Sequence, residues 1–348
     1  MIWLLHALAI FLVAAAMLPW IREGEWWIRV FDFPRLQLAS LGVLLLFAYR
    51  FVDSGVLGWT MQAAIAAATA CQLWRIRPFT PLVPHQVADA DPDEAGRSRV
   101  KIMVANVLMS NRQDADLIAL IRKHQPDLLL TVETDAWWEE RLRAIEPDYP
   151  YTVRHPLPNT YGMLLFSRLQ LIRPEVRFLV EDDVPSIFTA VVLPGCPNFR
   201  FYGVHPRPPR PEKRQDSTNR DAELVIIGDQ VRDSKDPVIV AGDLNDVAWS
   251  YTTDLFQRLS GLLDPRRGRG MFNSFHAKIP LIRFPLDHVF HSAHFKLLDL
   301  RRLPGFGSDH FPLLIELSYE RNAAHTQNTP EADEEDRALA DEMVERAR

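Results

Sequence analysis

Pro237-Val238-Ile239-Val240-Ala241-Gly242-Asp243-Leu244-Asn245-Asp246 opens with a β-branched apolar run and closes on polar residues. Such a run predicts a short strand buried on both faces. It stops at Gly242, and Asp243 and Asn245 follow two positions apart. If the backbone stays extended, alternation puts both side chains on one side, a carboxylate and a carboxamide projecting together from a strand end. For Gly-Asp alone, a strand closing in an Asx turn is the plainer reading. The rest of the chain shifts the balance, because it repeats the arrangement.

Working outward, Asn106 follows Ile102-Met103-Val104-Ala105, and Glu133 follows Leu128-Leu129-Leu130-Thr131-Val132. His205 follows Phe201-Tyr202-Gly203-Val204, Asp287 follows Phe284-Pro285-Leu286, and Asp309-His310 precede Phe311-Pro312-Leu313-Leu314. Any one of these alone is a cap or a turn. Together they offer hard oxygen donors, two imidazoles and two carboxamides, a set that suits Mg²⁺ or Mn²⁺ better than Zn²⁺.

Between them the pattern alternates. Strands are expected at 100–107, 127–132, 162–167, 186–193, 199–205, 237–242, 286–291 and 312–317, and helices at 113–123, 137–145, 217–231 and 251–259. Interleaved helices with hairpin-like neighbours predict an α/β layered domain with mixed sheets. From Arg99 to Glu316 there are 28 Lys+Arg and 28 Asp+Glu, so this segment is formally neutral. Neutrality excludes the electrostatic footprint of a protein that coats nucleic acid, though not an enzyme that grips one phosphodiester. Two cysteines, Cys71 and Cys196, rule out a disulfide framework.

The flanks differ from the domain. Apolar runs cover 2–20, 36–52 and 56–74, each near the ~20 residues of a membrane-spanning helix. Trp20, Trp26, Trp27, Trp59 and Trp74 lie near their ends, as interfacial belts do. No Lys or Arg precedes the first run, which argues against a signal peptide. Three spans are expected, with two as the alternative because the second run is short and carries Arg50. Three spans put Arg22, Arg29, Arg35, Arg75 and Arg77 on the side of the large domain, against Arg50 alone, so the positive-inside rule predicts a cytoplasmic catalytic domain. The expected organisation is a transmembrane region over 1–76, a solvated Pro-rich acidic linker over 77–98, a catalytic domain over 99–318 and a solvated acidic tail over 319–348. Within the tail, Thr329-Pro330-Glu331 is expected to open a short helix running to Val344.

The series Asn106, Glu133, Gly162…Ser167-Arg168, His205, Gly242-Asp243-Leu244-Asn245, Leu286-Asp287-His288, Ser308-Asp309-His310 resembles the endonuclease/exonuclease/phosphatase superfamily over about residues 98–318. Two positions depart from its pattern: Val132 where many members have Gln, and Leu244 where Phe is common. The resemblance implies a four-layer α/β/β/α sandwich of two mixed sheets. It further implies that Glu133 holds a divalent metal with Asn106 and Asp309 beside it, Mg²⁺ first and Mn²⁺ as the alternative. Asp243 would orient or deprotonate the attacking water, and Asn245 would donate to the phosphate. Asp287 would accept from His310 and favour its imidazolium, which faces a phosphate oxygen, and His205 would be a second donor or a general acid.

The loop Pro206-Arg207-Pro208-Pro209-Arg210-Pro211-Glu212-Lys213-Arg214 offers Arg207 and Arg210 for a second phosphate or a lipid headgroup. A stiff surface loop with solvated arginines is the equal alternative. Arg220 and Asp221 on the following helix are expected to brace it. The function expected is a membrane-anchored metal-dependent phosphoesterase acting on a phosphodiester, of nucleic acid or of phospholipid or phosphoinositide. From another class, a catalytically idle membrane-tethered binding module competes with it.

Overall fold

A computed structural model describes residues 2–51, 55–91, 98–209 and 215–348. Its strands, in chain order, are β1 (Arg99–Asn106), β2 (Leu128–Val132), β3 (Tyr151–His155), β4 (Met163–Ser167), β5 (Leu171–Phe178), β6 (Pro185–Val191), β7 (Phe199–Val204), β8 (Val238–Asp243), β9 (Asp287–His291), β10 (Phe295–Arg302) and β11 (Leu313–Tyr319). The helices are α1 (Ile2–Met17), α2 (Trp26–Arg29), α3 (Arg35–Tyr49), α4 (Val56–Ile76), α5 (Asp114–His124), α6 (Ala136–Leu142), α7 (Thr218–Arg232), α8 (Tyr251–Ser260) and α9 (Glu334–Arg346).

One sheet runs β10-β11-β1-β2-β4-β3 and the other β5-β6-β7-β8-β9. β1–β2 and β7–β8 are parallel and the remaining pairs antiparallel, so both sheets are mixed. Strand alternation builds the layers. Ile102, Val104, Leu128 and Leu130 face Ile187, Phe201, Ile239 and Ala241 across the sandwich. Their neighbours Met103, Ala105 and Leu129 pack outward under Leu117, Ile121, Trp138 and Leu142 of α5 and α6. Val204, Val238, Val240 and Phe290 of the second sheet pack under Leu224, Ile227, Val231 and Phe256 of α7 and α8. The result is the expected four-layer α/β sandwich.

α7 buries two carboxylates, Asp221 and Glu223. Glu223 is 3% exposed and accepts from Ser186 Oγ at 2.7 Å. Burial raises its pKa to about 7, against a weaker opposing effect of that hydrogen bond. Ionisation is thus disfavoured in the fold, and between pH 4.5 and 7 the unfolded chain sheds this proton first. Stability therefore falls as pH rises through that window. Glu223→Gln is expected to match the parent near pH 4.5 and to exceed it above pH 7 by up to about 3 kcal/mol, read from denaturant midpoints at the two pH values. A constant difference across the range would remove Glu223 as the cause.

Both flanks correct the expectation of solvated segments. Val87 of the linker is fully buried in the sandwich core, Leu297 N donates to Ala88 O at 2.9 Å, and Arg269 pairs with Asp89 at 2.5 Å. In the tail, α9 packs Ala340 and Met343 against Val225, Leu255 and Leu259. Its start lies later than Thr329, at Asp333, whose side chain and that of Asp336 form a capping box. Gln327 donates to Ala293 O and Phe295 O, which explains why the chain before α9 lies on the domain.

At the N-terminus α1, α3 and α4 pack through Leu12, Leu38, Leu45, Ile65 and Ala68. Among the described residues two helices, over Ile2–Trp20 and Val56–Phe79, are long and apolar enough to cross a membrane, or three if the bent pair that follows is one span. The segment Trp26–Asp32 joins Arg35–Tyr49 at a bend of 72° and lies against the α/β sandwich, where Trp249 Nε1 donates to Asp32 O at 2.7 Å.

Candidate active site

Strand register brings the polar ends together. Asn106 is opposite Val132 in the parallel β1–β2 pair, so Glu133 emerges beside it. Val204 is opposite Gly242 in the parallel β7–β8 pair, and Asp243 is opposite Asp287 across β8–β9. His205 and Asp243 therefore leave adjacent strand ends. The approach there is so close that a Cβ on Gly242 would lie 1.8 Å from Val204 O, and φ is +152°. Only glycine fits.

Past Gly242 the chain does not stay extended. Asn245 has φ +51°, and its N–H donates to Asp243 Oδ1 at 2.9 Å. The Asx turn holds after all: the Asp243 side chain caps the Asn245 backbone, in place of the two side chains projecting together by strand alternation. Asn245 Nδ2 donates to Pro206 O at 3.0 Å, which ties the turn to the residue after His205.

Asp243 Oδ2 accepts from Asn106 Nδ2 at 3.0 Å, and the same amide donates to Glu133 Oε1 at 2.8 Å. Asn106 Oδ1 is taken by Leu108 N at 2.9 Å. Asn106, expected beside a cation, here bridges two carboxylates through its amide nitrogen. Glu133 is itself at φ +60°, turned out of β2. Ser308 Oγ donates to Asn106 O at 2.8 Å and accepts from His310 N at 3.0 Å, fastening the Ser308-Asp309-His310 loop to the end of β1.

His310 Nδ1 donates to Asp287 Oδ2 at 2.7 Å, and its Nε2 is 3.5 Å from Asp243 Oδ2. Burial disfavours the imidazolium, but the two carboxylates outweigh it and raise the pKa to about 10. The Phe275 ring lies 5.0 Å from the imidazole, shielding it from water. Asp243, Asp287 and His310 lie close enough to ligate one ion. Both ring nitrogens face carboxylates, however, and protons on them satisfy that arrangement without a metal. Glu133 and Asp309, the carboxylates expected to hold the metal, lie outside that group. Both residues are partly exposed, and among the described residues no Lys, Arg or His lies within 4.0 Å of either carboxylate. Each is thus a hard oxygen donor of the kind Mg²⁺ or Mn²⁺ takes.

His205 Nδ1 donates to Asp243 O at 3.1 Å, which fixes the tautomer and leaves Nε2 for other chemistry. Tyr161 lies 5.6 Å from this ring and beneath the Arg207 guanidinium at 4.4 Å. Arg207 is paired with Glu181 at 2.9 Å and Asp183 at 2.6 Å, so its charge is already matched. Arg210 lies outside the described residues. Arg220 braces the catalytic turn more directly than the Pro-rich loop: its Nη1 donates to Asn245 O at 2.8 Å, and Nη2 is 3.2 Å from Asp246 Oδ2. Sequence reasoning gave no role to Ser308, Asp246 or Arg29, nor to Ser274, whose Oγ accepts from the N–H groups of Leu286 and Asp287. The first stands in a quoted motif and Asp246 in the opening stretch; Arg29 carried no signal beyond its charge.

The sequence profile of the Endonuclease/Exonuclease/phosphatase family matches residues 103–310, which hold every polar strand end described above. The chain belongs to that family. Solved structures agree in fold. TDP2 from D. rerio matches with a TM-score of 0.53 at 16% identity, over 63% of this chain and 99% of that one. The human Nocturnin catalytic domain gives 0.52 at 17%, over 64% and 96%. An endonuclease/exonuclease/phosphatase from Bacteroides vulgatus gives 0.51 at 17%, over 64% and 100%. No curated protein sequence matches the chain. The family match leaves α1–α4 outside it.

Proposed function

We propose that the chain is a membrane-anchored, divalent-metal-dependent phosphoesterase that hydrolyses a phosphodiester bond by attack of water. The observation that carries this reading is the buried line Asp287–His310–Asp243, joined to Glu133 by the Asn106 amide. A pKa of about 10 keeps His310 protonated at neutral pH, ready to donate to a phosphate oxygen. Asp243, fixed by donors from Asn106 and Asn245, accepts the proton of the attacking water. His205 offers its free Nε2 as a second donor. Glu133 and Asp309 would hold Mg²⁺ or Mn²⁺, which supplies charge neutralisation at the phosphate and leaving oxygens.

A nucleic-acid substrate is supported by D. rerio TDP2, solved with a single-stranded DNA product. One observation favours a phospholipid instead. The tip Lys278-Ile279-Pro280-Leu281-Ile282-Arg283 exposes Ile279, Leu281 (80% exposed) and Ile282 between two cations. Gln37, in the first turn of α3, donates to Leu281 O at 2.7 Å, and Ala277 N donates to Asp309 O at 2.6 Å. An apolar tip beside both an apolar helix and the site suits a substrate embedded in a bilayer. A multi-pass anchor with a cytoplasmic catalytic domain is the orientation supported by the five-to-one arginine asymmetry.

The test is hydrolysis by the full-length protein of DNA, RNA, phosphoinositides and sphingomyelin, with chelator and with Mg²⁺ restored. Mg²⁺-restored release from one class is expected. Silence on all four would leave the idle binding module as the better reading.

A further inference from the structure

The catalytic turn is held from outside the family's own residues. Arg29 belongs to α2, between the first apolar helix and α3, and its side chain is 2% exposed. Its Nη2 donates to Asp246 Oδ2 at 3.1 Å and to Thr252 Oγ1 at 2.9 Å, and its Nη1 donates to Asp32 Oδ2 at 3.0 Å. The guanidinium lies 4.1 Å over the Tyr251 ring. Asp32 is held in turn by Arg35 at 2.6 Å, and Arg35 reaches Gln72 of α4 at 2.9 Å.

Asp246 is the hinge of this network. Besides Arg29 it accepts from Ser250 Oγ at 2.7 Å and from its neighbour Val247 N, and it lies beside Arg220. Arg220 in turn holds the carbonyl of Asn245, the left-handed residue whose N–H caps Asp243. The buried network holds three guanidiniums, Arg29, Arg35 and Arg220, against three carboxylates, Asp32, Asp221 and Asp246, so loss of Arg29 leaves one carboxylate charge uncompensated in the interior. Arg's planar fork spans Asp246, Thr252 and Asp32 together; a Lys ammonium could not.

We propose that Arg29 is a positioning residue of the active site. The segment between the apolar helices is thereby part of the catalytic scaffold, and the arrangement of those helices is felt at Asp243 through Asp246 and Asn245. This rests on the function proposed above only for its kinetic readout.

The experiment uses the full-length protein in lipid nanodiscs. Hydrogen–deuterium exchange is followed on peptides covering 243–250, with the β1 core as internal reference. Arg29→Met is expected to raise uptake in 243–250 and leave β1 unchanged. Unaltered uptake in 243–250 overturns the proposal, whether or not the protein hydrolyses anything. With bis(4-nitrophenyl) phosphate and Mg²⁺ as the probe, kcat is expected to fall about 10- to 100-fold with KM unchanged, the range a small misplacement produces. Added guanidinium is expected to restore much of the kcat of Arg29→Ala, while sodium at equal ionic strength does not. A rise in KM at constant kcat, or no rescue, also counts against positioning. Should both Arg29 variants fail to fold, Thr252→Val removes one contact alone. It is then expected to raise 243–250 uptake by a smaller amount, and parent-like uptake overturns the proposal. A parent protein silent on this probe would count against the proposed function, while the exchange result would still decide the role of Arg29.

Discussion

Glu133→Gln is expected to weaken Mg²⁺ binding by at least the roughly 10- to 100-fold that loss of a supporting partner costs a metal site, with turnover falling in step at limiting Mg²⁺. The substitution keeps the shape and the acceptor for Asn106 Nδ2, now 2.8 Å from Oε1. What it removes is a formal charge in a cluster where Asp243 and Asp287 already share the positive charge of His310. Those two carboxylates have one cation between them, whereas Glu133 has none in contact, only the Asn106 amide and a long contact from Met109 N at 3.4 Å. A cation therefore gains most from Glu133. Calorimetric titration of Mg²⁺ into parent and variant is the measurement, with thermal unfolding to confirm that the sandwich survives. Equal affinities would take Glu133 out of the metal site. If Asp309→Asn then weakened binding instead, the site would have to be rebuilt around that residue.

The central strands and most of the site were legible because burial on both faces writes itself into composition. β1, β2, β4 and β8 are runs of apolar residues with a polar residue at the end, and the runs are long enough to be told from turns. Three strands were not anticipated: β3, β5 and β10. All are sheet edges. An edge strand packs on one side only and keeps charges on the other, as β5 does with Arg173, Glu175 and Arg177, so no apolar run announces it. The polar strand ends were found as a set because the topology gathers the ends of parallel strands from both sheets. What joins them was not visible. Asn106 as a bridge, the Ser308 fastening and the left-handed turn at Asn245 depend on backbone direction at single residues. Arg29 was hidden for a different reason. Between two apolar runs a basic residue signals topology, and nothing local says that its partners lie more than 200 positions away at Asp246 and Thr252.

The pairing of Asp287 with His310 sets the second large effect. The 2.7 Å contact and the nearby Asp243 keep the imidazole charged well above neutral pH, so the parent is expected to show no histidine limb in its rate profile between pH 6 and 8. Asp287→Asn keeps an acceptor for Nδ1 but removes the nearer negative charge. Burial, the largest opposing influence, then acts against Asp243 alone, and the basic limb should move down toward neutrality. Turnover at pH 8 is expected to fall by about 10²- to 10⁴-fold, the span of one lost proton donor. His310→Ala should fall by a similar factor with no such limb. Because Asp287 acts only through His310, the double variant should be little worse than the worse single one, as groups working as a unit are strongly non-additive. Turnover of the four proteins at saturating Mg²⁺ across pH 6 to 9 decides it. Multiplicative losses would mean that Asp287 serves the reaction by another route. Ser274 Oγ accepts from the backbone N–H groups of Leu286 and Asp287, at 3.3 and 3.0 Å, so the start of β9 stays fixed in Asp287→Asn and any loss belongs to the side chain. A shift of the pH limb then ties that loss to His310, since the carboxylate beside Nδ1 is what holds its proton.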